Sequence, residues 1–276
     1  MQEAFMKKKI RVGALISGGG TNLQAILDAS RTGAIDADVV FVGTDNPAAK
    51  GLERARRHGI RDFVVDYPAV LRACRQDPGN VKPPADFRLE DVRAKQAIYP
   101  PSADRKTVDA FLASRAVAEA LLLKAMPPEA FDLLVLAGFM RNLTPYFIDR
   151  VNTDRARPRI MNIHPALLPA FPGTDGYGDT FRYGCKVAGC TVHFVDYGED
   201  SGPIIGQRAF AIQEDDTLET IRRRGLELEW QLYPECIQLF SRGRLQTERV
   251  RFERSGGAAF ERTVVRIRPE APVAHR

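Results

Sequence analysis

Cysteine is scarce in this sequence, and no long apolar run is present. Cys74, Cys185, Cys190 and Cys236 are spread over 276 residues; they are too few for a disulfide framework and lack the close pairs of a zinc site. Reduced thiols are expected. No apolar stretch approaches the roughly 20 residues needed to span a bilayer, and the start, MQEAFMKKKIRV, lacks the apolar core of a secretory signal. The expectation is a cytoplasmic protein without membrane contact. The net charge is +5, yet Lys and Arg are scattered and lack the interleaved aromatics of a single-strand-binding surface. No nucleic-acid partner is expected, and a mild basic excess suits capture of small anions. A Gly-x-Ser-x-Gly elbow is also missing, which removes the hydrolase nucleophile that such a turn presents.

What the sequence does have is a hydrophobic content of 44%, ample for a buried core. Short apolar runs (RVGALI, VVFVG, FVV, DLLVLAG and RIMNI) alternate with helix-like stretches, the rhythm of buried parallel strands with crossover helices. After Gly189 come CTVHFVDY and PIIGQRAFAI, joined by the turn-rich GEDSG. The expected fold class is α/β: a Rossmann-like, mostly parallel sheet with helices on both faces and an antiparallel C-terminal portion. Leu218, Ile221, Leu228, Leu232, Cys236 and Leu239 recur at helical spacing behind a candidate N-cap, Asp216, with Glu219 three residues later. That stripe assigns Cys236 to packing. Residues 68–101 read as a long surface excursion with one short helix over 89–97, and the tail pairs RVRFER with TVVRIR across SGG as a hairpin.

ISGGGTNLQAIL places three glycines where a strand gives way to a helix. Free N–H groups and the helix dipole then converge on one spot, which suits a phosphate. Thr21 and Asn22 add a hydroxyl and an amide for that phosphate or an attached sugar. A P-loop would need Gly-Lys-Ser/Thr, and a dinucleotide fingerprint a third glycine where Leu23 stands. Asp45, at the end of the second strand, keeps open a ribose-binding role of the dinucleotide type, and a tight turn without any ligand is the simplest alternative.

RIMNIHPALLPAFPG carries the chemistry. Strand side chains alternate, so Asn162 and His164 share one face while Met161 and Ile163 take the helix-covered one. A carboxamide and an imidazole projecting from a strand's carboxyl end suit transfer of a one-carbon acyl group to an amine. The developing oxyanion needs donors and the leaving nitrogen needs a proton. Asp200, in the GEDSGP turn, is the carboxylate expected to raise the His164 pKa. His193 is a rival or supporting histidine. Cys190 and His193 invite a metal, but nothing completes a ligand set, so no metal is expected. With no cysteine beside these groups, a covalent acyl-enzyme is not expected.

These segments, with GLERARRHGI, DLLVLAGFMRNLTPYFIDRV, CTVHFVDYGEDSGPIIGQ and LYPE, resemble the phosphoribosylglycinamide formyltransferase family over most of residues 10–245. The resemblance implies a formyltransferase fold and transfer of the formyl group of 10-formyltetrahydrofolate, a cosubstrate, to the amine of glycinamide ribonucleotide. It implies Asn162, His164 and Asp200 as the catalytic trio, with His164 as general acid. Gly20, Thr21, Asn22 and Glu229 would bind the ribonucleotide. Arg105, Met140, Arg141, Asn142, Leu143, Asp196, Tyr197, Gly198 and Glu199 would bind folate. Residues 1–276 are expected to form one formyltransferase domain with a surface insertion near 68–101 and an extension over 246–276. Residues 174–190 replace the family's more usual His-containing segment and are candidates for a lid or an ordered packing loop. The same trio would serve a formyltetrahydrofolate hydrolase, a methionyl-tRNA formyltransferase or an amino-sugar formyltransferase. The hydrolase usually carries an extra domain before the catalytic part and the tRNA enzyme one after it, and this chain has room for neither. A binding protein without turnover would not need the trio's proton-transfer geometry.

Overall fold

The computed structural model describes residues 9–77, 81–127, 131–154, 156–253, 257 and 259–270. The N-terminal residues 1–8, the Pro-Gly-Asn at 78–80 and most of the SGG turn lie outside them, as does the end of the tail. The elements run β1 (Ile10–Ile16), α1 (Thr21–Thr32), β2 (Ala37–Thr44), α2 (Leu52–Arg57), β3 (Arg61–Val64), α3 (Tyr67–Gln76), α4 (Leu89–Lys95) and α5 (Arg105–Ala125). They continue with β4 (Leu133–Leu136), α6 (Pro145–Val151), β5 (Ile160–His164), α7 (Gly176–Arg182), β6 (Val187–Phe194), β7 (Ile204–Ala211), α8 (Leu218–Ser241), β8 (Leu245–Glu253) and β9 (Ala259–Ile267).

A seven-stranded sheet has the order β3-β2-β1-β4-β5-β6-β7. The first five strands are parallel, whereas β6 pairs antiparallel with β5 and with β7. The chain winds outward from β1 in both directions, so the β1–β4 boundary is the switch point where doubly wound sheets leave a crevice at the carboxyl ends of their strands. Alternation along each strand builds a core on both faces. Val12, Ala14, Ile16, Met161 and Ile163 pack with α1 and with Leu232, Tyr233 and Cys236 of α8. Leu15, Leu134, Leu136 and Ile160 pack on the other face with Ala118 and Leu122 of α5 and Phe147 of α6. The Rossmann-like α/β expectation and the burial of Cys236 match this architecture.

Three local expectations change. The stretch from 68 is not a bare excursion: besides the expected short helix, α4, which lays Val92 into a small core with Val108, Leu112 and Tyr146, it holds α3, capped by Asp66 accepting from the Ala69 N–H. Gln96 ends α4, and the next residue, Ala97, donates its N–H to the Tyr197 carbonyl at 2.8 Å. This segment thus braces the loop between β6 and β7. The N-cap of α8 is Thr217 rather than Asp216: Thr217 and Thr220 exchange side-chain and backbone hydrogen bonds, while Asp216 accepts from the Gln213 N–H and pairs with Arg224. Finally, residues 176–182 form a short helix, α7. The expected tail hairpin is present, with β8 and β9 in antiparallel register from Leu245 opposite Ile267 to Glu253 opposite Ala259.

Tyr233 of α8 is fully buried, and its hydroxyl donates to the carbonyls of Met161 at 2.8 Å and Leu136 at 3.2 Å. It stitches the helix to the end of β4 and the start of β5. Tyr233→Phe should lower the unfolding free energy by about 1–2 kcal/mol, read as a lower urea midpoint with unchanged m. An unmoved midpoint would show that the stitch carries no net stability.

Candidate functional site

At the carboxyl ends of β1, β4 and β5 lies a cavity of about 550 Å³, within the range of small-molecule sites. One end is the glycine loop. Gly20 precedes α1 with φ of 69°, and a Cβ there would stand 3.0 Å from the Gly51 Cα, so both the conformation and the close approach require glycine. No side chain caps α1, which leaves its first N–H groups directed at the cavity end lined by Gly18, Gly19, Gly20 and Thr21. Asn22 turns its amide inward: Nδ2 donates to Glu229 Oε2 at 2.7 Å, and its buried Oδ1 has no partner.

The middle of the cavity holds the expected trio. Asn162 and His164 both line it from β5, and Asp200 reaches it from the β6–β7 loop. His164 Nδ1 lies 3.1 Å from Asp200 Oδ2, and its Nε2 lies 2.8 Å from the Phe171 carbonyl oxygen. Asp200 also accepts from the Gly173 N–H at 2.8 Å. Phe171 and Asp200, with φ of 54° and 48°, are the two non-glycine residues with positive φ among those described. Left-handed backbone is costly for such residues, and here it delivers one acceptor to each nitrogen of a single imidazole. His193 stands directly opposite Asn162 across the β5–β6 ladder. Its Nδ1–H donates to the Phe194 carbonyl at 2.9 Å, and its Nε2 lies 3.2 Å from Asn162 Nδ2 and 3.6 Å from Asp200 Oδ1. His193 thus lies against both the carboxamide and the carboxylate of the trio. Cys190, three residues before His193 on the opposite, core-facing side of β6, is fully buried. Among the described residues no group of three or more His, Cys, Asp or Glu is placed to hold a metal ion.

The electrostatics differ from expectation in one respect. Burial lowers the His164 pKa below its ordinary value; the Asp200 charge and the Phe171 carbonyl raise it but do not prevail. For Asp200 the balance is reversed. Burial pushes its carboxyl up, but His193, the charge of His164 and the Gly173 N–H together hold it below the usual range. The pair thus keeps an ionised carboxylate beside an imidazole that releases a proton readily.

The far end is walled by Met140, Arg141, Asn142 and Leu143 after β4 and by Asp196, Gly198 and Glu199. Asn142 Nδ2 donates to Glu199 Oε1 at 2.9 Å, joining the two walls. Glu119 on α5, fully buried, accepts from the Thr144 N–H and hydroxyl at 2.7 and 2.6 Å, and burial pushes its carboxyl up to about 8. It anchors the first wall from behind. Two expected residues are elsewhere. Tyr197 faces away from the cavity and bonds Asp149 through its hydroxyl. Arg105 opens α5 on the surface, 3.4 Å from Glu90, and does not line the cavity. Arg115, ten residues further along the same helix and so about 15 Å away, lines it instead, with its guanidinium over the Phe111 ring at 5.1 Å. Burial lowers the Arg115 pKa, and its Nη1 has no partner. The signal was available in the sequence, because Arg115 falls on the buried stripe of Val108, Leu112 and Glu119. Asp45 is buried outside the cavity lining with Oδ2 2.5 Å from Arg141 Nε, which removes the ribose-binding alternative.

A cavity with a glycine loop and a helix N-terminus at one end, a carboxamide–imidazole–carboxylate set in the middle and a far end that mixes Arg115 and Arg141 with Asp196 and Glu199 suits acyl transfer. The formyl transferase family model matches residues 10–237, and the chain belongs to that family. It is 37% identical to phosphoribosylglycinamide formyltransferase of Bacillus subtilis, covering 80% of this chain and 90% of that protein. It is 34% identical to the trifunctional purine biosynthetic protein adenosine-3 of Drosophila melanogaster over 88% of this chain, and it spans only 15% of that protein's length. The crystal structure of glycinamide ribonucleotide transformylase 1 from Symbiobacterium toebii superposes with a TM-score of 0.66 at 38% identity, over 98% of this chain and 99% of that one. No described helix is long and apolar enough to cross a membrane.

Because folding lowers the His164 pKa, the unfolded chain binds that proton more tightly than the native protein does. Stability should therefore fall as pH drops below the ordinary histidine value of about 6.5, with Asp200 extending the loss at lower pH. An NMR titration of His164 should give a midpoint below about 6.5, and Asp200→Asn should move it lower still. A midpoint above that value in the wild type would contradict the dominance of burial.

Proposed function

We propose that this formyltransferase transfers the formyl group of 10-formyltetrahydrofolate directly to the amine of glycinamide ribonucleotide. The observation that carries the reading is the meeting of Asn162, His164 and Asp200 midway between the loop before α1 and the walls after β4 and β6, within one cavity. The ribonucleotide phosphate would sit on Gly20 and Thr21. Glu229 and Asn22 would hold the ribose, for which the unpartnered Asn22 Oδ1 is a ready acceptor. Folate would lie between Met140–Leu143 and Asp196–Glu199, with Arg115 rather than Arg105 as the cation for its anionic end. The described core is read as one formyltransferase domain carrying a helical insertion and a hairpin extension.

When bound, the folate supplies the formyl carbon and a leaving nitrogen. The chain orients both partners and moves one proton. Asn162 directs an N–H toward the carbonyl oxygen, where negative charge grows as the amine attacks. The amine must lose a proton, and the departing nitrogen must gain one. His164 carries that proton in the interval, when each of its nitrogens has an acceptor, the Phe171 carbonyl at Nε2 and Asp200 Oδ2 at Nδ1, whose negative charge offsets that of the imidazolium. The lowered His164 pKa favours its delivery. No protein nucleophile takes part, since the nearby cysteine, Cys190, is buried with its thiol pushed up to about 12.

A formyl-transfer assay offering glycinamide ribonucleotide, water and other amines should give turnover with the ribonucleotide above all others; preference for water would indicate a hydrolase. His164→Ala should lower kcat by about 10²–10⁴ with little change in ribonucleotide affinity. Asn22→Ala should mainly raise the ribonucleotide KM. Wild-type kcat in the first variant, or an unchanged KM in the second, would remove that residue from its role.

A further inference from the structure

Residues 174–190, where this chain departs from the pattern it otherwise resembles, bring a tyrosine into the ribonucleotide end of the cavity. Tyr177 is 5% exposed on α7 and lines the cavity. Its hydroxyl donates to Glu229 Oε1 at 2.7 Å, while Asn22 Nδ2 occupies Oε2 at the same distance. Each carboxylate oxygen is thus held by one fixed donor and keeps a lone pair for a ligand.

The backbone around Tyr177 is shaped for this contact. Gly225 lies one turn before Glu229 on α8, and a Cβ there would fall 2.1 Å from Tyr177 Cζ and 2.3 Å from its hydroxyl oxygen. Glycine inside a helix is unfavourable, and the notch it leaves seats the ring with its hydroxyl at Glu229. Gly176 makes a second close approach, since its Cβ would lie 2.6 Å from the Pro165 carbonyl oxygen, one residue after His164. α7 is therefore wedged between the end of the catalytic strand and the ribose-side carboxylate. Burial pushes the Glu229 carboxyl up, and the Asn22 and Tyr177 donors act against that shift.

We propose that Tyr177 is a positioning residue that aims the Glu229 carboxylate at the hydroxyls of the ribonucleotide acceptor, acting through its hydroxyl and the Gly225 notch. The inference rests on the ribonucleotide reading of the cavity. Its contribution belongs to acceptor binding and leaves the proton transfer at His164 alone.

The test is a double-mutant cycle on the full chain, with kcat and separate KM values for glycinamide ribonucleotide and 10-formyltetrahydrofolate. Tyr177→Phe, which keeps the ring, should raise the ribonucleotide KM about tenfold, with kcat and the folate KM within about twofold. Glu229→Gln should raise the same KM, and adding Tyr177→Phe to it should then change that KM by less than about twofold. Gly225→Ala, which drives the ring from its notch with the hydroxyl intact, should reproduce the Tyr177→Phe effect and serves as the deciding variant if Tyr177→Phe does not fold. An unchanged ribonucleotide KM in Tyr177→Phe or in Glu229→Gln, or a full tenfold effect of Tyr177→Phe in the Glu229→Gln background, would overturn the inference. Wild-type protein that fails to formylate the ribonucleotide would strike the functional reading itself.

Discussion

The contact between His164 Nδ1 and Asp200 Oδ2, 3.1 Å long and buried, is the constraint around which the site is organised. It joins the last parallel strand to the loop after β6, two parts of the sheet that run in opposite directions. Keeping an ionised carboxylate there needs compensation, because burial alone would neutralise it. His193 and the Gly173 N–H supply that compensation. Left-handed backbone at Phe171 and Asp200 is the conformational cost of aiming both acceptors at one ring. The surrounding helices hold these loops in place. Ala97 hydrogen-bonds the loop that carries Asp200, and Glu119 anchors the loop facing it.

The switch point of the sheet explains why two small substrates fit one cavity. The loops after β1 and β4 diverge to opposite sides there, and β5 ends on the far side of β4. An amine acceptor at one side and an acyl donor at the other would then approach the same three side chains. Orientation and fixed dipoles are the means of catalysis open to such a site.

Much of this was legible in the sequence because it depends on local rules. Alternation along RIMNIHP put Asn162 and His164 on one face, and the glycines after RVGALIS marked the turn into α1. What was not legible depended on competition or distance. The direction of the His164 shift follows from burial outweighing a nearby charge, and no sequence spacing reports burial depth. Arg105 was misplaced because it precedes Arg115 by nearly three helical turns; motif order could not reveal which turn faced the cavity. Tyr197 was expected beside folate because the family resemblance covers its whole loop, whereas its hydroxyl bonds Asp149. The α3 helix escaped notice because its stripe is short and interrupted by arginines.

The central claim is that one proton moves through His164 and Asp200 between two substrates bound together, with no formylated protein between them. Two-substrate initial-rate kinetics test it most directly. Varying the ribonucleotide at several fixed folate concentrations should give intersecting reciprocal lines, as a ternary complex requires. Parallel lines, together with formyl label retained on the protein in the absence of the amine, would contradict the account.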